Sequence, residues 1–164
     1  KNIGFVGTRL MTPSIDDRFF GYLKALMERG IKYRADWIID DRDNIYGKMN
    51  YDRQFILPKE VPTAFFCNCD KAASLIIRKL EEAGYSVPGD VSVVGFDNFE
   101  YDQEADIGIT TYEINIGEMA KRAVHIMLHK MQNALYSAGV FSIQGKIIER
   151  ESVKKIGKSV PYAK

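Results

Sequence analysis

At 164 residues and 46% apolar content the chain can bury one core of moderate size, so disorder is not the expected state. Its 23 Lys and Arg stand against 22 Asp and Glu, a net charge of +1, which argues against a basic footprint for nucleic acid over this stretch. No apolar run reaches membrane-spanning length and no signal-peptide pattern opens the chain, so no membrane partner is expected.

The chain starts at Lys1, already inside the strand-like NIGFVG (2–7), and we expect a piece cut from a longer protein. Ser14 with Asp17 three residues later has the form of a helix-capping box. Ile15, Phe19, Leu23 and Leu26 then share one helical face until Gly30. DWIID (36–40) is expected as a short strand, 46–56 as a weaker helix stopped by Pro58, and TAFFC (63–67) as the next strand. Asp70 is placed to cap a helix carrying Ala73, Ile76, Ile77 and Leu80, which Gly84 ends. After the turn VPGD (87–90), the run Val91, Val93, Val94, Phe96 has the mark of a strand buried on both faces, and it ends in the bare carboxylate of Asp97. GITTYEI (108–114) is extended. Asn115 and Glu118 then open a long helix with Ile116, Met119, Ala123, Ile126 and Met127 on one stripe. FSIQGKIIERESV (141–153) is expected to close the fold as a strand, before a tail without apolar period.

Strand and helix alternating at short intervals predict an α/β fold, three-layer αβα with a mainly parallel sheet. Its strands are expected near 2–7, 36–39, 63–67, 91–96 and 143–150. Ligands bind outside the carboxyl ends of such strands. Thr8 to Ser14, Asn68 to Asp70, and Asp97 with Asn98 all stand there, so Asp97 reads as a ligand contact on a rigid strand. Cys67 and Cys69 supply too few ligands for a metal and would strain a disulfide, and free buried thiols are expected. His125 and His129 stand four apart on a helix, a spacing able to bind zinc, but without the glutamate of a metalloprotease motif; a surface or interface role is expected. With no glycine-rich phosphate loop and no catalytic constellation, neither enzyme activity nor a cofactor or metal is expected.

The run from Pro62 to Asn98 resembles the effector-binding region of LacI/GalR-type transcriptional regulators. Pro62-Thr63-Ala64 opening a strand, Asp70 opening a helix, Val87-Pro88-Gly89-Asp90 and Gly95-Phe96-Asp97 carry the resemblance. Thr110-Thr111, Gly117-Glu118-Met119, the closing IIERESV and the opening IGFVG with Arg18 and Gly21 extend it over nearly all of 2–153. The resemblance implies a periplasmic-binding-protein-like type I lobe. Residues 1–112 would form the C-terminal lobe, 113–138 a helix of an N-terminal lobe missing from this chain, 139–153 the closing strand and 154–164 a tail.

It further implies a small-molecule effector, a sugar or related polyol, contacted by Ser14, Arg18, Cys69 and Asp97. A homodimer with Ser74, Arg78 and Tyr101 near its two-fold interface is implied too. So are a cytoplasmic location and operator DNA reached only through an upstream domain absent from this chain. Cys69 stands where relatives carry a pocket asparagine, and Ile114 where they often carry glutamine, so the effector is expected to differ from the best-known family sugars. The same strand pattern describes sugar-binding proteins of importers, a transport function. VPGDVSVVGFDN and IIERESV favour the regulator.

Overall fold

The computed structural model describes residues 2–43, 45–49, 51–99 and 107–155. In chain order the elements are β1 (Ile3–Val6), α1 (Pro13–Glu28), β2 (Ile38–Ile39), α2 (Tyr51–Gln54), β3 (Ala64–Cys67), α3 (Asp70–Glu82), β4 (Ser92–Val94), β5 (Thr111–Glu113), α4 (Ile116–Gln132) and β6 (Lys146–Ile148). β1 to β4 form one parallel sheet in the order β2-β1-β3-β4.

Period-two alternation gives each strand two apolar faces. Val6, Phe65, Cys67 and Val93 meet Ala73, Ile76, Ile77 and Leu80 of α3, while Phe5 and Phe66 meet Phe19, Tyr22 and Leu26 of α1. The Phe5 ring stands edge-on to Phe19 at 5.2 Å. Burying each such side chain contributes roughly 1.5–3 kcal/mol. The result is the αβα sandwich that the alternation predicts.

The differences lie at element ends. α1 is capped by Thr12 rather than Ser14: Thr12 Oγ1 accepts the Ile15 N–H at 3.3 Å, and Pro13 takes the first helical position, where no N–H is needed. Asp70 is the first residue of α3, not its cap, which is Cys69. The strand expected at 36–40 begins as a 3-10 turn over Ala35–Trp37, where the indole Nε1 donates to Glu60 O at 2.8 Å. The helix expected over 46–56 is the single turn α2.

Of the closing segment only β6 is regular. It pairs antiparallel with β5 in a separate two-stranded sheet. Ser152 ties that ribbon to the main sheet: its Oγ donates to Val93 O at 2.6 Å, and it accepts the Thr110 N–H at 2.8 Å.

α4 begins as expected, with Asn115 Oδ1 accepting the Glu118 N–H at 3.0 Å. It buries no residue, and Ile116 and Met127 of its apolar stripe are 55% and 64% exposed. His125 and His129 lie on this exposed helix with rings 4.3 Å apart. Among the described residues no helix is long and apolar enough to cross a membrane.

Candidate functional site

In the strand order β2-β1-β3-β4 the winding reverses between β1 and β3, and their carboxyl ends open a crevice. Its floor is a buried polar network. Asp41, just past β2 and 0% exposed, accepts the Thr8 N–H at 2.8 Å and Asn68 Nδ2 at 3.1 Å, and pairs with Arg42 Nη2 at 2.7 Å. Thr8 Oγ1 in turn accepts the backbone N–H groups of Asp41 and Arg42, both at 3.0 Å. Burial pushes the Asp41 carboxyl up, but hydrogen bonds from Arg42 and Thr8 outweigh it and hold the group below the usual carboxylate range. Sequence reading missed Asp41 and Arg42, although the Asp40-Asp41 pair after the apolar Ile38-Ile39 was a readable signal.

Above this floor lies a cleft of about 620 Å³, with Ser14, Arg18, Arg42, Lys48, Cys69 and Lys71 in its walls. Arg18 reaches into it from α1. Its Nη1 donates to Asn68 O at 2.7 Å, and its guanidinium carbon sits 4.1 Å from the centre of the Phe96 ring. Burial pulls its pKa down and Arg42 adds to that, against the opposing fields of Asp97 and Cys69.

Asp97 lies within electrostatic reach of Arg18. It lines a second hollow of about 540 Å³ with Asn98, Glu113 and Lys146 rather than the wall that holds Ser14. Asp97 and Asn98 have φ of +96° and +51°, a left-handed pair that these two residue types tolerate better than most. Asp97 Oδ1 accepts the Phe99 N–H at 3.2 Å, closing the turn. Burial pushes the Asp97 carboxyl up, and the Phe99 N–H and Arg18 only partly offset this. Asp70 shares a donor with it, since Asp70 Oδ2 also accepts the Phe99 N–H at 3.2 Å. Burial, aided by the charge of Asp97, pushes Asp70 up to about 6, while Thr111 and the Phe99 N–H hold it down. Two acids thus meet at the Phe99 N–H.

Residues 1–153 match the periplasmic binding protein-like domain family. The chain belongs to that family. Within it the chain is of the LacI/GalR type. It is 31% identical over 156 residues to the HTH-type transcriptional repressor PurR of Photobacterium profundum, covering 95% of this chain and 47% of that protein. Over 153 residues it is 31% identical to the NTD biosynthesis operon regulator NtdR of Bacillus subtilis, covering 93% and 46%. A solved complex of the transcriptional regulator CelR with cellobiose shares the fold, with a TM-score of 0.77 at 20% identity over 92% of this chain and 46% of that one. The Escherichia coli transcriptional repressor ascG gives 0.72 at 22% identity over 93% and 55%. The chain spans about half the length of the curated relatives it matches.

In this periplasmic-binding-protein-like domain, Ser14, Arg18 and Cys69 therefore share one cleft, and Asp97 lines a second hollow from which its charge reaches Arg18. Cys69 is buried, and burial pushes its thiol up to about 11, so it is neither a nucleophile nor a strong hydrogen-bonding group. Cys67 is fully buried with its thiol raised by the same cause, and both cysteines are free. Among the described residues no three His, Cys, Asp or Glu side chains cluster as metal ligands. Of the expected interface residues, Arg78 is exposed, pairing with Glu82 at 3.2 Å over the Tyr51 ring. Ser74 is 6% exposed and faces the chain's own interior, so it does not share the exposed face with Arg78. Tyr101 lies outside the described residues.

Proposed function

We propose that the chain is the effector-sensing C-terminal part of a bacterial LacI/GalR-type transcriptional repressor. Its effector is a small polyhydroxylated compound, a sugar or related polyol, contacted by Arg18, Ser14 and Asp97. The observation that carries this reading is the placement of Arg18 at the switch point, anchored on Asn68 O and the Phe96 ring and within the field of Asp97. A guanidinium offers five N–H donors in a fixed fork, and a carboxylate accepts from two neighbouring hydroxyls. The complex of CelR with a sugar, cellobiose, supports the reading from a protein of the same fold.

In this reading residues 1–112 and 139–153 form one lobe, and 113–138 belong to a second lobe that the rest of the protein supplies. The unburied stripe of α4 supports that division: a helix with Ile116, Met119 and Met127 exposed is built to be covered. The intact protein binds operator DNA through a separate domain, works as a cytoplasmic homodimer and catalyses no reaction.

The test is Arg18→Ala in the intact regulator, with calorimetry against sugars and polyols beside an operator-binding assay. Hydrogen bonds to a charged group contribute roughly 1.5–3 kcal/mol. Effector affinity should therefore fall on the order of 10- to 100-fold while operator binding persists. Wild-type effector affinity in the variant would overturn the assignment.

A further inference from the structure

We infer that Asn98 is a positioning residue of the effector site, tying the turn that presents Asp97 to both points where the chain passes between the β5–β6 ribbon and α4. This rests on the effector reading above, in which Asp97 is a ligand contact, and adds the residue that holds it in place. The chain leaves the ribbon at Glu113 and re-enters it at Lys146, and these two are cross-strand partners joined by an ion pair at 2.9 Å. The segment between them carries the unburied α4.

The Asn98 amide lies between groups of opposite kind. Its Nδ2 donates to Glu113 Oε1 at 2.9 Å, and its Oδ1 accepts from Arg150 Nη2 at 2.7 Å. An ionised Glu113 offers acceptors alone and Arg150 donors alone, so the bridge needs a side chain with a donor on one side and an acceptor on the other. An amide has both. A carboxylate in its place would still take Arg150 but would set two acceptors face to face at Glu113. Each end is also held from behind: Glu113 Oε2 takes Lys146, and Arg150 Nη1 donates to Ile109 O at 2.7 Å. Lys146, and then Asn98, hold the Glu113 carboxyl below its usual range against the cost of desolvation, so it stays ionised near neutral pH.

The backbone agrees. The Asp97 N–H donates to Tyr112 O at 2.9 Å and the Asn98 N–H reaches Thr111 Oγ1 at 3.4 Å, so the turn lies along β5. Asn98 keeps its left-handed φ of +51° there, which asparagine tolerates. One residue therefore completes the turn with its backbone and bridges β5 to the closing segment with its side chain. Where the open end of the ribbon stands sets where the Asp97 carboxylate stands, and the Asn98 amide is the link.

The experiment measures amide hydrogen exchange by NMR on the isotope-labelled 164-residue chain, with no ligand added. The Asp97 N–H reads the tie, and the Gly95 N–H, bonded to Thr110 O at 2.9 Å, reports any opening of the sheet common to all variants. Asn98→Asp keeps a residue type that tolerates the left-handed φ, yet should speed exchange at Asp97 roughly tenfold or more relative to Gly95. Adding Glu113→Gln exchanges donor and acceptor across the contact and should return Asp97 to within about threefold of wild type. Asn98→Gly suits the turn but has no amide, so it should loosen Asp97 as Asn98→Asp does and gain nothing from Glu113→Gln. Unchanged relative exchange at Asp97 in both single variants overturns the inference. So does a failure of Glu113→Gln to restore Asn98→Asp, which makes Asn98 a turn residue and no link. Because no ligand is present, either failure leaves the effector reading to its own test, Arg18→Ala in the intact regulator.

Discussion

Asp41→Ala removes the acceptor at which three strand ends meet. It strips the partner from the Thr8 N–H at 2.8 Å, from Asn68 Nδ2 at 3.1 Å and from Arg42 Nη2 at 2.7 Å. Breaking a buried ion pair by removing one member costs about 3–5 kcal/mol, because the other charge is left without its match. The Arg42 side chain is 21% exposed, so water takes up part of its charge and the lower end, about 3 kcal/mol, is expected. That is a large part of the roughly 5–15 kcal/mol that stabilises a typical domain.

At about 2–4 °C per kcal/mol for a chain of this size, the melting temperature should drop by roughly 6–12 °C. Asp41→Asn keeps the shape but turns an amide N–H₂ toward donors, and should lose an intermediate amount. Urea unfolding followed by circular dichroism reads both, with an unchanged m-value showing that the native state stays compact. A loss below about 1 kcal/mol in the alanine variant would show that Asp41 is not the keystone of the cleft floor.

Asp70 sets a pH dependence: its folded pKa of about 6 stands above its unfolded value of about 3.9. The folded chain therefore binds the extra proton in that window, and stability falls as pH rises from about 4 through about 6. Asp97 shifts in the same direction, while the lowered Asp41 and Asp43 act only below the window, where stability is lost as pH falls. Melting temperature should rise from pH 7 to pH 5, and Asp70→Asn should flatten the profile; a flat wild-type curve counts against the raised Asp70 carboxyl. Gly95→Ala should cost about 1–3 kcal/mol in chemical denaturation, since a Cβ there overlaps Asp70 Oδ1 and lies 3.2 Å from Ile109 Cγ2. Ser152→Ala leaves the Thr110 N–H without its partner and the Val93 carbonyl without the hydroxyl's bond, so a loss of about 1–3 kcal/mol with faster amide exchange at Thr110 is expected. Met119→Lys with Met127→Lys should leave the melting temperature of this chain nearly unchanged while abolishing binding of a hydrophobic dye, because both side chains are already in water. A large drop would mean that α4 packs within the chain.

The strands, the helices and their succession along the chain were legible because they rest on near neighbours. Alternation in NIGFVG and VSVV, and the helical stripe through Ile15, Phe19 and Leu26, act over a few residues. The stops at Gly30 and Gly84 do so as well, and both glycines take the left-handed φ such stops use. Even Thr12 as the cap of α1 could have been read from Pro13, which favours the first helical position. The site was legible only in outline. Asp97 stands at a strand end in the sequence, but its left-handed turn and its meeting with Asp70 at the Phe99 N–H depend on β4 lying beside β3. Asp41, Arg42, Lys48, Asn68 and Lys71 belong to two separate stretches, and the cleft forms because β1 lies between β2 and β3. Local periodicity carries no information about which strand becomes whose neighbour. That order follows from burying both faces of the sheet at once, and it decides which charges meet.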